Sequence, residues 1–318
     1  MEFKEMALFI NTNISSLYAQ RAAQRANDSL DVSYQRLSSG LRINKAKDDA
    51  AGIQVANNLT TQLDGLTQGN RNTQDALAFC QTIEGALDEV TNMLQRIRTL
   101  AVQSANGTNT EQDRKALQVE VNALADEIQR IAEDTTFAGA DVLNGRAGIS
   151  TFQLGADPSS IVKIDLTQAM DVTGIAALAA KYSGSDEFEY DVDGNGQIGP
   201  NEKLKYSDLF KNNGADPGIK ISTAKEAEHT LAGIDGMINA INRKRAELGA
   251  LQNRFEATVR NQDSIKENVA SSRATIRDTD FAEETANLTQ QNIIQQATAT
   301  ILTQANQRPQ VALNLLNR

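Results

Sequence analysis

Residues Ala86 to Asn106 read ALDEVTNMLQRIRTLAVQSAN, and their apolar or small positions are Leu87, Val90, Leu94, Ile97, Ala101 and Ser104. The steps alternate between three and four. That spacing draws a narrow stripe along one side of a helix, suited to packing into another helix. A second stripe runs through Leu117, Val121, Leu124, Ile128 and Ile131. A third lies far off in sequence, at Leu231, Ile234, Ile238, Ile241, Arg245, Leu248, Gln252, Phe255 and Val259. None of these helices can bury its stripe alone. Two sit in the first half of the chain and one in the last third, so the economical solution is a bundle that pairs the two ends. The fold class expected is mainly α: a long antiparallel bundle or coiled coil of N- and C-terminal segments, with a small β-hairpin part and an irregular central insertion.

Composition agrees with long helices packed through small side chains. The 318 residues are 40% hydrophobic but only 4% aromatic, with no Trp. The formal net charge of -10 argues against nucleic acid as a partner, because phosphate binding needs a basic surface. The four prolines are Pro158, Pro200, Pro217 and Pro309, so the N-terminal part carries no proline break. One cysteine, Cys80, permits no intrachain disulfide and reads as a small apolar helix residue. No membrane span is expected, since no 18-residue apolar run occurs. The opening MEFKEMALFINTN lacks the apolar core of a Sec-type signal, and Met1 to Glu5 read as an overhang before Met6-Ala7.

Taken in order, the chain divides into five parts. Residues 1–44 are an inner helix with Ile14, Leu17, Leu30, Leu37 and Leu41 as apolar marks in an otherwise polar run. Residues 45–171 hold nearly continuous helix from Asp49 to Gln103, then a return helix from Glu111 to about Glu133. Such a first helix is a rod about 80 Å long. Gly40 permits a break before it, and Thr110 with Asp113 has the form of an N-cap and its acid. From Thr135 glycines punctuate short runs such as ISTFQL and SIVKIDL, which predict one or two β-hairpins. Residues 172–222 are a less regular surface insertion. Residues 223–276 return to helix until a break at Arg277-Asp278-Thr279-Asp280. Residues 277–318 end in a helix from Phe281 to about Ala305, rich in Gln, Asn, Thr and Ala. Both terminal helices bury too little to offset their ordering entropy alone, so they are expected to order against a partner helix.

Catalytic patterns are missing from the sequence. The single histidine, His229, lies in the helical run AKEAEHTLAG, which rules out a two-histidine zinc motif. No phosphate-binding glycine loop and no nucleophile–histidine pairing is suggested, so the chain does not read as an enzyme. One local motif is specific. Residues 191 to 202 are DVDGNGQIGPNE, which places Asp191, Asp193 and Asn195 at loop positions 1, 3 and 5, Gly196 at 6, Gln197 at 7, Ile198 at 8 and Glu202 at 12. These are the diagnostic positions of an EF-hand loop. Three carboxylates, the Asn195 amide oxygen, the Gln197 carbonyl and one water would suit Ca²⁺. A modest affinity, on the order of 10⁻⁵ to 10⁻³ M, follows from the low charge count. The preceding SGSDEFEY makes a poor leading helix and Pro200 is unusual, so an Asp/Gly-rich turn is the other reading. No cofactor is required for anything else in the chain.

The segments FINTNISSLYAQRA, QRLSSGLRINKAKDDAAG, LQRIRTLAVQSANGTN and SSRATIRDTDFAEETANLTQQNI together resemble bacterial flagellin. TTFAGADVLNG at 135–145 and FQLGA at 152–156 are similar to strand segments of that family. The likeness covers roughly the first 140 and the last 95 residues. It implies a subunit that self-assembles into the extracellular flagellar filament for swimming motility. It also implies type III export and partnership with an export chaperone, with cap and hook-junction proteins, and with further copies of itself. A contact with the innate-immune receptor for flagellin is implied at Arg96 and Leu100 of LQRIRTLAVQS and at Glu120 of LQVEVN. Without the resemblance these would be a solvated or inter-subunit charge, packing at the stripe's edge and a surface acid. Two alternatives remain: a hook–filament junction protein, and a calcium-dependent adhesion module on a helical stalk. The INTN and SSGLRINKAKDDAAG segments favour a flagellin over both.

Overall fold

The computed structural model describes residues 12–184, 186–189, 203–210 and 218–316, and it falls into two compact units. One is formed by Met1–Asp64 with Lys266–Arg318, the other by Gly65–Ile265. Four long helices carry the chain: α1 (Ile14–Ser39), α2 (Ala50–Ala105), α6 (Ala224–Arg277) and α7 (Phe281–Leu316). A shorter α3 (Glu111–Asp134) returns after α2.

In the terminal unit, α1 and α7 run antiparallel. Asn13 Nδ2 donates to the Ala305 carbonyl at 2.8 Å, Gln295 Nε2 to Asn27 Oδ1 at 2.7 Å, and Arg36 Nη1 reaches Glu284 at 3.3 Å. The seam between them is made of small or polar residues: Ser16, Ala19, Ala26, Leu30 and Ser33 on α1, and Glu284, Thr298 and Ala305 on α7. The Asn13 side chain caps α1 by accepting from Ser16 N. At the other end Gly40 takes a left-handed conformation, φ 71°, and its N–H closes on Arg36 O. Glycine is the residue that adopts that geometry without strain. The chain then meets the end of α6. Arg42 N donates to Arg277 O at 2.7 Å, Thr279 N to Gly40 O at 3.0 Å, and Leu41 bridges Asp278. Asp280 starts α7 by accepting from Ala282 N and Glu283 N. Helix α7 continues through Pro309 to Leu316, further than the polar run to Ala305 suggests.

The central unit holds the large side chains. The α2 stripe Leu87, Val90, Leu94, Ile97, Ala101 and Ser104 is sealed from solvent, and Ala76, Cys80 and Ile83 extend it toward the N-terminus. Burial pushes the Cys80 thiol up to about 11, so it stays a neutral packing group. Helix α3 opens with a complete capping box. Thr110 N donates to Asp113 Oδ2 at 2.9 Å and Asp113 N to Thr110 Oγ1 at 3.3 Å.

The other two stripes need correction in one column each. On α3, Val121 and Ile128 are fully buried, while Leu117, Leu124 and Ile131 are half-buried flanks and Ala125 and Ala132 face inward. On α6, Ile234, Ile241, Leu248 and Phe255 are sealed, but Leu231 and Ile238 are half-buried and Thr230, Met237 and Lys244 take the inner column. Arg245, Gln252 and Val259, read in the same outer column, are also only half-buried. Two of the buried polar side chains find carbonyl acceptors. Thr230 Oγ1 donates to Lys220 O and Lys244 Nζ to Asp165 O, each within 2.8 Å. Hydrogen bonding removes most of the cost of burying such groups.

Two hairpins follow α3. Strands β1 (Thr136–Phe137) and β2 (Ala140–Asp141) pair antiparallel across Ala138 and Gly139, both at positive φ. That is the backbone a two-residue hairpin turn demands. Strands β3 (Gly148–Gln153) and β4 (Ile161–Leu166) pair with Thr151 opposite Lys163, burying Val162, Ile164 and Leu166 on one face. Residues 172–222 are not simply a surface insertion. Helix α4 (Val172–Ser183) starts at the Asp171 cap and buries Val172, Ile175, Ala176, Leu178 and Ala179. Gly174 is required there, because a Cβ would sit 2.1 Å from Ala169 O. Strands β5 (Glu187–Glu189) and β6 (Lys203–Lys205) pair antiparallel, and the short α5 (Tyr206–Leu209) follows. Tyr206 and Phe210 then fill slots on α6 at Gly236 and Gly233. Ile219 and Ile221 are also sealed. They belong to a strap held by Gln118, which donates to Ile219 O and accepts from Ile221 N, and by Ser104, which donates to Ile221 O.

Candidate functional site: an assembly surface on the terminal helices

A structural protein acts through the surface it leaves unpaired. On α1, Ile14, Leu17, Tyr18, Val32 and Tyr34 point outward although α1 is already paired with α7, and Tyr18 is 67% exposed. On α7, Phe281, Ile293 and Ile301 do the same, Ile293 at 61%. Ala282, Thr285, Ala286, Thr289, Gln290, Ile293 and Ile294 line an open groove of about 630 Å³ along α7. These helices keep their small side chains for each other and turn their larger apolar ones out. The groove along α7, with Ile293 and Ile294 in its lining, is apolar surface of the kind that suits an interaction site. Part of the inner seam is polar: Ser33 Oγ and Arg36 Nη1 both bond the buried carboxylate of Glu284. A buried ion pair of this kind is by itself weak evidence of added stability.

The positions read as receptor contacts separate in the structure. Arg96 Nε donates to Glu120 Oε1 at 2.8 Å, joining α2 to α3, and the two side chains are 53% and 43% exposed. Leu100 is different. It is 1% exposed and belongs to the core, so it presents almost no surface. The bland reading, packing, describes its position. The EF-hand-like residues Asp191, Asp193, Asn195, Gln197 and Glu202 lie outside the described residues. Strands β5 and β6 flank that motif, where an EF-hand has helices. Among the described residues no group of three or more acidic, histidine or cysteine side chains could hold a metal ion, and no helix is long and apolar enough to cross a membrane.

Two family models match: the bacterial flagellin N-terminal helical region over residues 10–147 and the bacterial flagellin C-terminal helical region over residues 231–316. The chain belongs to the bacterial flagellin family. It is 40% identical to polar flagellin F of Vibrio parahaemolyticus and 39% identical to flagellin B of Vibrio cholerae, each alignment spanning 98% of this chain and the whole of the relative. A putative flagellar hook-associated protein from Vibrio parahaemolyticus has a similar fold, with a TM-score of 0.52 over 73% of this chain and all of that one, at 16% identity. That likeness speaks to fold alone. Flagellins are structural subunits of the extracellular flagellar filament, and the family assignment gives this chain that function. Neither the junction-protein nor the adhesion alternative is favoured. The paired terminal helices α1 and α7 each lie within one of the two matched regions, and both carry outward apolar residues.

Proposed function

We propose that this flagellin polymerises by burying the outward faces of α1 and α7 against further copies of itself. The observation that carries the reading is that the seam is lined mainly by small or polar residues, with Leu30 among them, while Ile, Leu, Val, Tyr and Phe side chains on both helices stay exposed. Burying apolar surface contributes about 25 cal/mol per Å², so a row of half-exposed residues repeated along a polymer supplies the missing stability. Export by the flagellar type III route, with a chaperone before assembly and cap and hook-junction proteins at the filament's ends, fits this chemistry. The test is electron microscopy of the protein after seeding. Deletion of residues 281–318 should abolish filaments while the helical signal of the central unit persists. Filaments formed by the truncated chain would refute the reading.

Two further partners are proposed on narrower grounds. The exposed Arg96–Glu120 pair supports recognition of the monomer by the innate-immune flagellin receptor. Arg96→Ala should weaken a reporter-cell response without lowering thermal stability, since an exposed ion pair is worth about 0–1 kcal/mol. The spacing of residues 191–202 supports Ca²⁺ binding, which would order the span between β5 and β6 once the subunit is outside the cell. Isothermal titration should show a Ca²⁺ signal at millimolar concentration that Glu202→Ala removes. Equal signals from both proteins would leave the motif an ordinary turn.

A further inference from the structure

The turn between α2 and α3 carries chemistry that assembly does not use. It reads Asn106-Gly107-Thr108-Asn109. Asn106, Gly107 and Thr108 are exposed, and nothing lies within 4 Å of where a Cβ on Gly107 would sit. Asn106 Oδ1 accepts from Thr108 N at 3.3 Å, which folds the side-chain amide back over the Gly107 peptide. Among the described residues the Gly107 N–H has no acceptor, whereas the neighbouring Asn106 and Asn109 N–H groups have one each.

We infer that Asn106 is a site of spontaneous covalent modification, converting to aspartate and isoaspartate as the subunit ages. The Gly107 backbone nitrogen, once deprotonated, attacks Asn106 Cγ. A C–N bond forms, the Cγ–Nδ2 bond breaks, and ammonia leaves with the proton the backbone gave up. Water then opens the five-membered imide. Cleavage at Cγ gives aspartate, and cleavage at the main-chain carbonyl gives isoaspartate. The balance is asparagine plus water to acid plus ammonia, with nothing oxidised or reduced. Glycine at 107 matters because no side chain obstructs the attack and the backbone can turn to make it.

A second asparagine–glycine pair in the described chain shows what protection looks like. Asn144 is half-buried, its Nδ2 donates to Asp141 Oδ2 at 2.6 Å, and its Oδ1 accepts from Arg146 N. Its backbone bridges Ala169, and Gly145 is hemmed in by Ala169 N and Thr167 O. The Asp141 charge also disfavours the oxyanion that forms at Cγ. Attack there must first break a charge-assisted bond and move a fixed turn.

The turn at 106 is built to tolerate the product. Arg114 Nη2 donates to the carbonyls of Asn106 and Asn109, each at 3.2 Å, and its buried Nη1 has no hydrogen-bond partner. A new carboxylate at 106 joins a loop whose backbone carbonyls that guanidinium already holds. Each event adds one negative charge to the loop, so long-lived subunits accumulate a chemical record of their age.

The test is a time course on the full chain in mildly alkaline buffer, followed by peptide mapping that separates aspartate from isoaspartate. Asn195–Gly196 and Asn213–Gly214 lie outside the described residues, so conversion is read residue by residue. Asn106 should convert at least about tenfold faster than Asn144, the rate difference expected from an extra local bond broken on the way to the transition state. Gly107→Ala should slow conversion at 106, and Asn106→Gln should stop it. Equal rates at 106 and 144, or an unchanged rate in Gly107→Ala, would overturn the inference.

Discussion

The two units bury different things. Among the described residues the largest side chains with almost no exposure, among them Phe255, Phe210, Leu87, Leu94, Ile128 and Met170, lie between Gly65 and Ile265. The terminal unit seals Ala19, Ala26, Leu30, Ile43, Ala56, Leu63 and Ala305, with Ser16, Ser33, Glu284 and Thr298 among them. Both are helical and both show three–four spacing, so periodicity does not distinguish them. Side-chain volume does. A helix pair built on alanine and serine forgoes the 1.5–3 kcal/mol that each buried Leu, Ile or Phe contributes, and it orders just as much backbone. The central unit has a hydrophobic core of its own. The terminal pair is joined largely through polar contacts and leaves several of its larger apolar residues exposed.

The sharpest break in that comparison comes from charge on the outward face. Ile293→Asp combined with Ile301→Asp should abolish polymerisation while leaving the circular-dichroism melt of the monomer unchanged. A loss of monomer stability would mean these residues already serve the isolated chain. Next in size, Phe255→Ala should cost about 3–5 kcal/mol in denaturant unfolding of the monomer. Ala26→Gly in the terminal seam should cost only about 1 kcal/mol. Comparable losses would erase the distinction between the units. An effect of similar size concerns the α3 cap. Thr110→Ala should cost about 1 kcal/mol. The Thr110 hydroxyl and backbone N–H hold the Asp113 carboxyl below its usual value. Its folded value lies below its unfolded one, so the cap's contribution is present above the ordinary carboxylate range and is lost as pH falls through the depressed value. Amide exchange in the first turn of α3 should quicken over that acidic window, and Asp113→Asn should remove the dependence.

Much of the fold was legible because helix signals are local. The α2 stripe, the Gly40 break, the Thr110–Asp113 cap and the hairpins after Thr135 all stand where residue chemistry put them. The second column of the α3 and α6 stripes was not legible. Reading by hydropathy assigns the inner position to Leu124 and Ile131, yet helices in close approach admit Ala125 and Ala132 and leave the larger neighbours as flanks. On α6 the same rule passes over Thr230 and Lys244, whose burial depends on carbonyls at Lys220 and Asp165 far away in sequence. Helix α4 was missed because Thr173 and Gly174 interrupt its start. Its signal was the Asp171 cap followed by Ile175, Ala176, Leu178 and Ala179. At the candidate sites, Arg96 and Glu120 could be placed on the surface from their charge. Leu100 could not be resolved between edge and core, because a residue one turn from a stripe member can be either.

The meeting of the chain's two ends at Gly40–Arg42 and Arg277–Thr279 has a mechanical meaning. A swimming filament is turned from its base, so every subunit carries torque. Here two covalent spans cross the same joint side by side, tied to each other by Arg42 N to Arg277 O, Thr279 N to Gly40 O and Arg42 Nη2 to Ile276 O. These bonds make each span a lateral brace for the other, so a twist imposed on one is passed to the other across the joint.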